Sequence, residues 1–174
     1  MLVKLLLLPL LLLAACLTAG LYGAVHNQIS YTVAPEYFHA FKFDQFDIPT
    51  SLHGRLGAAI VGWYASWWMG AVVGLPVLLV GLILPGWQAY LGRCMVAFVV
   101  VILTTLIIGL GGLLYAWLSI TPATLPPFYY PAAVQDRVAF ARAAMMHNCS
   151  YLGGSVGILT GIAYLVITRF RNRS

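Results

Sequence analysis

Four long apolar runs alternate with polar segments along the chain. A membrane-spanning helix needs about 20 apolar residues. Residues 5–25, LLLLPLLLLAACLTAGLYGAV, supply the first such run. Residues 58–84, 94–117 and 146–168 supply the other three. The second is longer than one crossing requires. Pro85, Gly86 and Trp87 mark one of its ends and Trp63 and Tyr64 the other, with Pro76 a candidate kink. Residues 86–93 read as a short loop. Ahead of the fourth run, AAVQDRVAFARAAMMH keeps helical spacing, so the last helix is expected to project past the bilayer and to place His147 at its boundary.

Two longer polar segments separate the runs, residues 26–57 and 118–145. In the first, Ile29, Tyr31 and Val33 alternate with Ser30 and Thr32, the period-two pattern of a strand. Pro35 with Glu36 beside it predicts a turn or one helical turn. Phe41 and Phe43 alternate with Lys42 and Asp44, predicting a second strand that Pro49 closes. The second segment contains SITPATLPPFYYP, whose four prolines exclude a regular helix. Tyr37 and Phe38 are expected to be buried between the two segments. The predicted fold is an all-α membrane protein: a four-transmembrane-helix bundle in one domain, with a small extracytoplasmic cap containing short β-strands.

Composition supports lipid as the solvent. Of 174 residues, 62% are apolar and 7% charged, against about a quarter charged in soluble domains. The net charge of +5 forms no stripe, so it does not read as a nucleic-acid footprint. Lys4, Arg93, Arg169, Arg171 and Arg173 flank the runs on one side, which the positive-inside rule assigns to the cytoplasm. Both termini then face the cytoplasm, and the four acids (Glu36, Asp44, Asp47, Asp136) face outward. Cys16, Cys94 and Cys149 fall at different depths and cannot pair with one another. Residues 13–16, Leu-Ala-Ala-Cys after a short basic start, look like a lipobox, but the apolar run continues for nine more residues. A retained helix is therefore expected over a cleaved, acylated Cys16.

Small residues mark the seams along which helices pack in lipid. Gly70 and Gly74 mark one on the second helix, and Gly109 and Gly112 one on the third. On the fourth helix His147, Ser150, Tyr151, Gly154, Gly157 and Gly161 share a sector about 120° wide at 100° per residue. His147 is thereby expected to face the bundle, with Asp136 on the same face above it. An ionisable side chain in that place is a functional candidate by default.

The candidate ligand or metal-binding set is His26, His53, His147, Asp136 and Tyr151. Imidazoles with carboxylates suit a transition metal, and two at one depth suit a b-type haem. No HExxH or His-x-His spacing pins such a site. No serine lies in a nucleophile-elbow context, and the midplane carries none of the charges a transporter would use. The function expected is a non-enzymatic accessory, assembly or binding subunit working on the extracytoplasmic side. A metal- or haem-binding protein is the alternative. The partners expected are the bilayer and either another membrane protein or a second copy, with no nucleic acid.

In architecture alone the chain resembles claudins and tetraspanins, without the cysteines of either. It resembles more closely a family of uncharacterised bacterial four-helix integral membrane proteins. The resemblance rests on a first-loop motif of the type SYTxxPEYFxxFKFxQF at residues 30–46, on GWYASWWMG at 62–70 and on MHNCSYLGG at 146–154. It implies a bacterial inner membrane and no particular activity.

Overall fold

The computed structural model describes residues 1–171 and is helical almost throughout. Helix α1 spans Leu2–Val33. A cap of single turns follows: α2 (Pro35–Tyr37), one π-turn at Phe38–Lys42, α3 (Phe43–Gln45) and a 3-10 turn at Thr50–Leu52. Helices α4 (Arg55–Ser66) and α5 (Met69–Gly81) form a pair bent by 42°. Helices α6 (Gly86–Ser119) and α7 (Arg137–Arg171) complete the bundle. Three helices, α1, α6 and α7, are long and apolar enough to cross a membrane, and α4 with α5 makes a fourth if the bent pair is one span. Their outer faces carry exposed Leu13, Leu17, Leu21, Val72, Leu79, Val99, Leu103, Ile107, Leu159 and Ile167. An apolar surface of that extent is what a lipid solvent requires.

The predicted β-strands of the cap are absent among the described residues. The segment read as the first strand is the last two turns of α1, and the second is the π-turn running into α3. The period-two reading assumed that Ile29, Tyr31 and Val33 face a core and Ser30 faces solvent. That pattern fails, since Ser30 is fully buried while the three apolar residues are only half-buried. The interior at this level is a polar node, so the polar residues of a helical face turn inward. Pro35 is what stops α1. A residue before proline is pushed out of the α region, and Ala34 lies at φ −148°, ψ 88°.

Two other boundaries differ from the sequence reading. Residues 86–93 are the first two turns of α6, so the α5–α6 connection shrinks to residues 82–85. The break in the second span lies at Trp67 and Trp68, well ahead of Pro76, which sits inside α5. The proline-rich segment is non-helical, as its composition requires. The residues leading into α7 are also non-helical, and Asp136 Oδ1 accepts the Ala139 amide as an N-cap.

The bundle is two packed halves. In one half α1 lies along α4 and α5; in the other, α6 lies along the length of α7. Glycine makes both close approaches. Gly23 and Gly62 bring the backbones of α1 and α4 into direct contact, and Gly70 does the same against Ala15 and Cys16. Gly109 and Gly112 receive Ser150 and Cys149, while Gly153 and Gly157 meet the α6 backbone at Thr105 and Val101. The halves join along α5 and α7 and touch more sparsely where α1 faces α6 and α7.

Candidate functional site

The cap end of α1 presents three buried polar residues to the bundle: His26, Asn27 and Ser30. They lie three or four positions apart or adjacent, hence on one helical face. Asn27 Nδ2 donates to the Ala58 carbonyl at 2.9 Å, which turns its carboxamide oxygen toward His26 Nδ1 at 3.4 Å. An oxygen there accepts from Nδ1–H, leaving His26 Nε2 to accept from the Ser150 hydroxyl at 2.9 Å. Ser30 donates to the Asn27 carbonyl at 3.4 Å and so accepts from His147 Nε2 at 3.1 Å. The two imidazoles meet edge to face, ring centroids 4.8 Å apart. Tyr37 and Phe38 close over His147, with centroids at 4.9 Å and 6.4 Å. A histidine from each half of the bundle thus reaches across to a serine of the other.

Beneath this node lies a cavity of about 190 Å³ between the halves. Its polar end holds Tyr22, His26, Asn27, Lys42, Gln45, His147 and Ser150. Its apolar end runs down to Ala15, Val73, Gly74, Phe98 and Val101. Tyr151 lines it while remaining 51% exposed, so the space opens to the surface beside α7. Gly154 is buried, yet a Cβ there would meet nothing within 4 Å. The emptiness it faces is this cavity. The Tyr22 hydroxyl is buried and faces Ser150, without a hydrogen bond of full geometry to a described protein group.

Lys42 sits at the mouth. Its ammonium donates to Gln45 Oε1 at 2.7 Å and lies 4.5 Å and 5.5 Å from the ring centroids of Phe41 and Tyr37. Burial holds its pKa down at about 8. Burial also pushes the Tyr37 phenol well above its ordinary value. The lining holds one lysine and no carboxylate.

The sequence-derived candidates separate into three places. His26, His147 and Tyr151 meet at the cavity. His53 lies in a second cluster in the cap, stacked on Phe43 at 4.3 Å, 5.6 Å from His39 and bonded through Nε2 to the Ile48 carbonyl at 3.0 Å. Asp136 caps α7. The trio of histidines expected for a metal is therefore not assembled, and the described residues hold no group of three or more His, Cys, Asp and Glu placed to bind an ion. The direct ring contact of His26 with His147 leaves no gap between them for a porphyrin. Of the predicted seam glycines, Gly70, Gly74, Gly109, Gly112, Gly157 and Gly161 meet neighbouring helices, while Gly154 faces the void.

Several working residues were not among the site candidates read from the sequence. Glu36 Oε2 accepts the Gln135 and Asp136 amides, each at 2.9 Å, tying the cap to the start of α7. Asn27, Ser30 and Ser150 complete the histidine node. Helical spacing of four between His26 and Ser30 and of three between His147 and Ser150 was the available clue. No protein-family model, curated protein or solved structure matches the chain.

Proposed function

We propose that this chain is a multi-pass protein of the bacterial inner membrane with both termini in the cytoplasm. It acts as a non-enzymatic binding subunit and holds a lipid-like molecule in the cleft under its extracytoplasmic cap. The cavity carries this reading, because it has one polar end, one apolar end and a lateral opening. An amphiphile matches that gradient end for end, and a bilayer supplies amphiphiles at high local concentration. The buried Tyr22 hydroxyl lines the polar end and is placed to donate to a polar head.

The test is extraction and mass spectrometry of protein purified in mild detergent. A lipophilic molecule at near-stoichiometric amount is expected, and Gly154→Leu, whose Cβ would meet nothing within 4 Å and whose side chain would enter the cavity, should expel it. Equal recovery from the variant would count against the cleft. For orientation, a C-terminal tag should be shielded from protease in intact spheroplasts and cut after lysis.

A further inference from the structure

The cationic side chains of this protein are used in different ways. Lys4 donates to the carbonyls of Leu82 and Leu84, and Arg169 to that of Ile83. Arg142 donates to the Ile120 carbonyl and stacks on Trp117. Arg55 reaches the Gln28 carbonyl and Thr32, and Arg93 the Tyr164 hydroxyl. Each of these closes a helix end or joins two helices. Lys42 does neither. Its hydrogen bond is to Gln45, three residues along the same short segment, and its remaining contacts are aromatic faces. It lines the cavity, and it also lines a second space beside Phe128, Tyr129 and Asn148.

Resting on the binding role set out above, we propose that the cleft's occupant is an anionic single-chain amphiphile, with acid oxygens at the Lys42 ammonium and its chain running past Gly154 toward Phe98 and Val101. Charge complementarity points this way: a half-buried ammonium has only neutral partners, and the lining offers no acid to neutralise it. A carboxylate or phosphate would supply the missing charge and make charge-assisted hydrogen bonds. The Tyr22 hydroxyl, at the same polar end, would donate to a second acceptor on the head. The space of about 190 Å³ is more readily filled by one chain than by two. His26 and His147 serve as the wall behind the head, their Nε2 atoms already engaged by serines.

The experiment is native mass spectrometry of the full chain, titrated with three probes of one chain length: oleate, oleoyl lysophosphatidate and oleyl alcohol. Oleate or the lysophosphatidate should bind about tenfold or more tightly than the alcohol, the size expected of one hydrogen bond to a charged group. The stronger of the two acids identifies the head as carboxylate or phosphate. The preference should vanish in Lys42→Gln and survive in Lys42→Arg, which also guards against loss by misfolding. If all three probes bind equally, in wild type and Lys42→Gln alike, the anionic head is wrong and the cleft stands. If none binds and Gly154→Leu changes nothing, the cleft reading itself fails.

Discussion

Two residues decide how the cap is held and how it responds to pH. Glu36 accepts two consecutive amides at the start of α7, where the helix dipole also favours a negative charge. Its truncation in Glu36→Ala removes both bonds. A loss of about 1–3 kcal/mol is expected in thermal unfolding, with faster proteolysis in residues 120–136. Unchanged cleavage would show that the cap stays docked through its aromatic cluster alone. Lys42 acts with the opposite sign. Burial lowers its pKa from 10.5 to about 8. Between those values the unfolded chain binds more protons than the folded one, so stability of the delipidated protein rises with pH across that window. Below about pH 8 both states are charged and the full penalty applies; above 10.5 both are neutral and it is gone. Facing Lys42 are Tyr37 and Phe41 from the cap, Tyr22 and His26 from α1, and His147 and Tyr151 from α7. Tyr37 stays neutral through the window because burial raises its phenol. Lys42→Met should therefore be more stable than wild type at pH 7, with the gap closing as pH approaches 10.5. A gap that widened instead would mean that Lys42 is stabilising in its charged form. A bound acid should reverse the effect, and affinity for it should begin to fall above about pH 8.

Element by element, the helices follow from rules that a sequence states openly. Apolar runs of 20 or so residues give spans, prolines break residues 120–136, and glycines at intervals of four mark where backbones touch. Gly23 against Gly62 is the tightest case, because each would place a Cβ on the other's main chain. Gly62→Leu is expected to separate α1 from α4 and leave little folded protein by size-exclusion chromatography. Gly92→Leu, whose Cβ would meet nothing within 4 Å, should be tolerated. Similar yields of both would contradict the packing described. The cap was less legible, for a reason that also governs the site. Ile29, Tyr31 and Val33 carry the period of a strand only if apolar residues point inward. Here Ser30 points inward, since His147 from the other half of the bundle needs a hydrogen-bond partner. That demand arises in the assembled bundle and leaves no mark on local pattern. The placement of His147 on the inward sector was readable from the 100° arithmetic. Its pairing with His26, and the exclusion of His53, depended on where the π-turn and α3 carry residues 38–45, which no local period encodes.

At the scale of the molecule, the cavity exists because the two halves, packed on one another below it along α5 and α7 and tied at both ends, are left apart only beneath the cap. At the cap end the ties are the reciprocal bonds of His26 with Ser150 and of Ser30 with His147, reinforced by Glu36. At the end where the chain begins, the carbonyls of residues 82–84 are unpaired by the α5–α6 connection and would be orphaned C-terminal groups. Lys4 from α1 takes Leu82 and Leu84, and Arg169 from α7 takes Ile83. Cations are favoured there, facing the negative end of the α5 dipole. One short connection thus receives a clamp from each half. Behind it lie Tyr90, Cys94 and Leu165, all fully buried. If the clamps hold the halves together, Lys4→Met with Arg169→Met should loosen this end first. The readout is Cys94, followed by a membrane-permeant maleimide in a Cys16→Ala, Cys149→Ala background. Labelling should be slow with the clamps intact and at least tenfold faster without them, since losing one hydrogen bond to a charged group costs about 1.5–3 kcal/mol. Occupancy of the cleft, whose lower end at Ala15 lies 11 residues along α1 from Lys4, should change less. A rate at Cys94 unaffected by the double change would mean that α6 and α7 carry the lower end by packing alone, and the cavity would then owe its shape to the cap and not to ties at both ends.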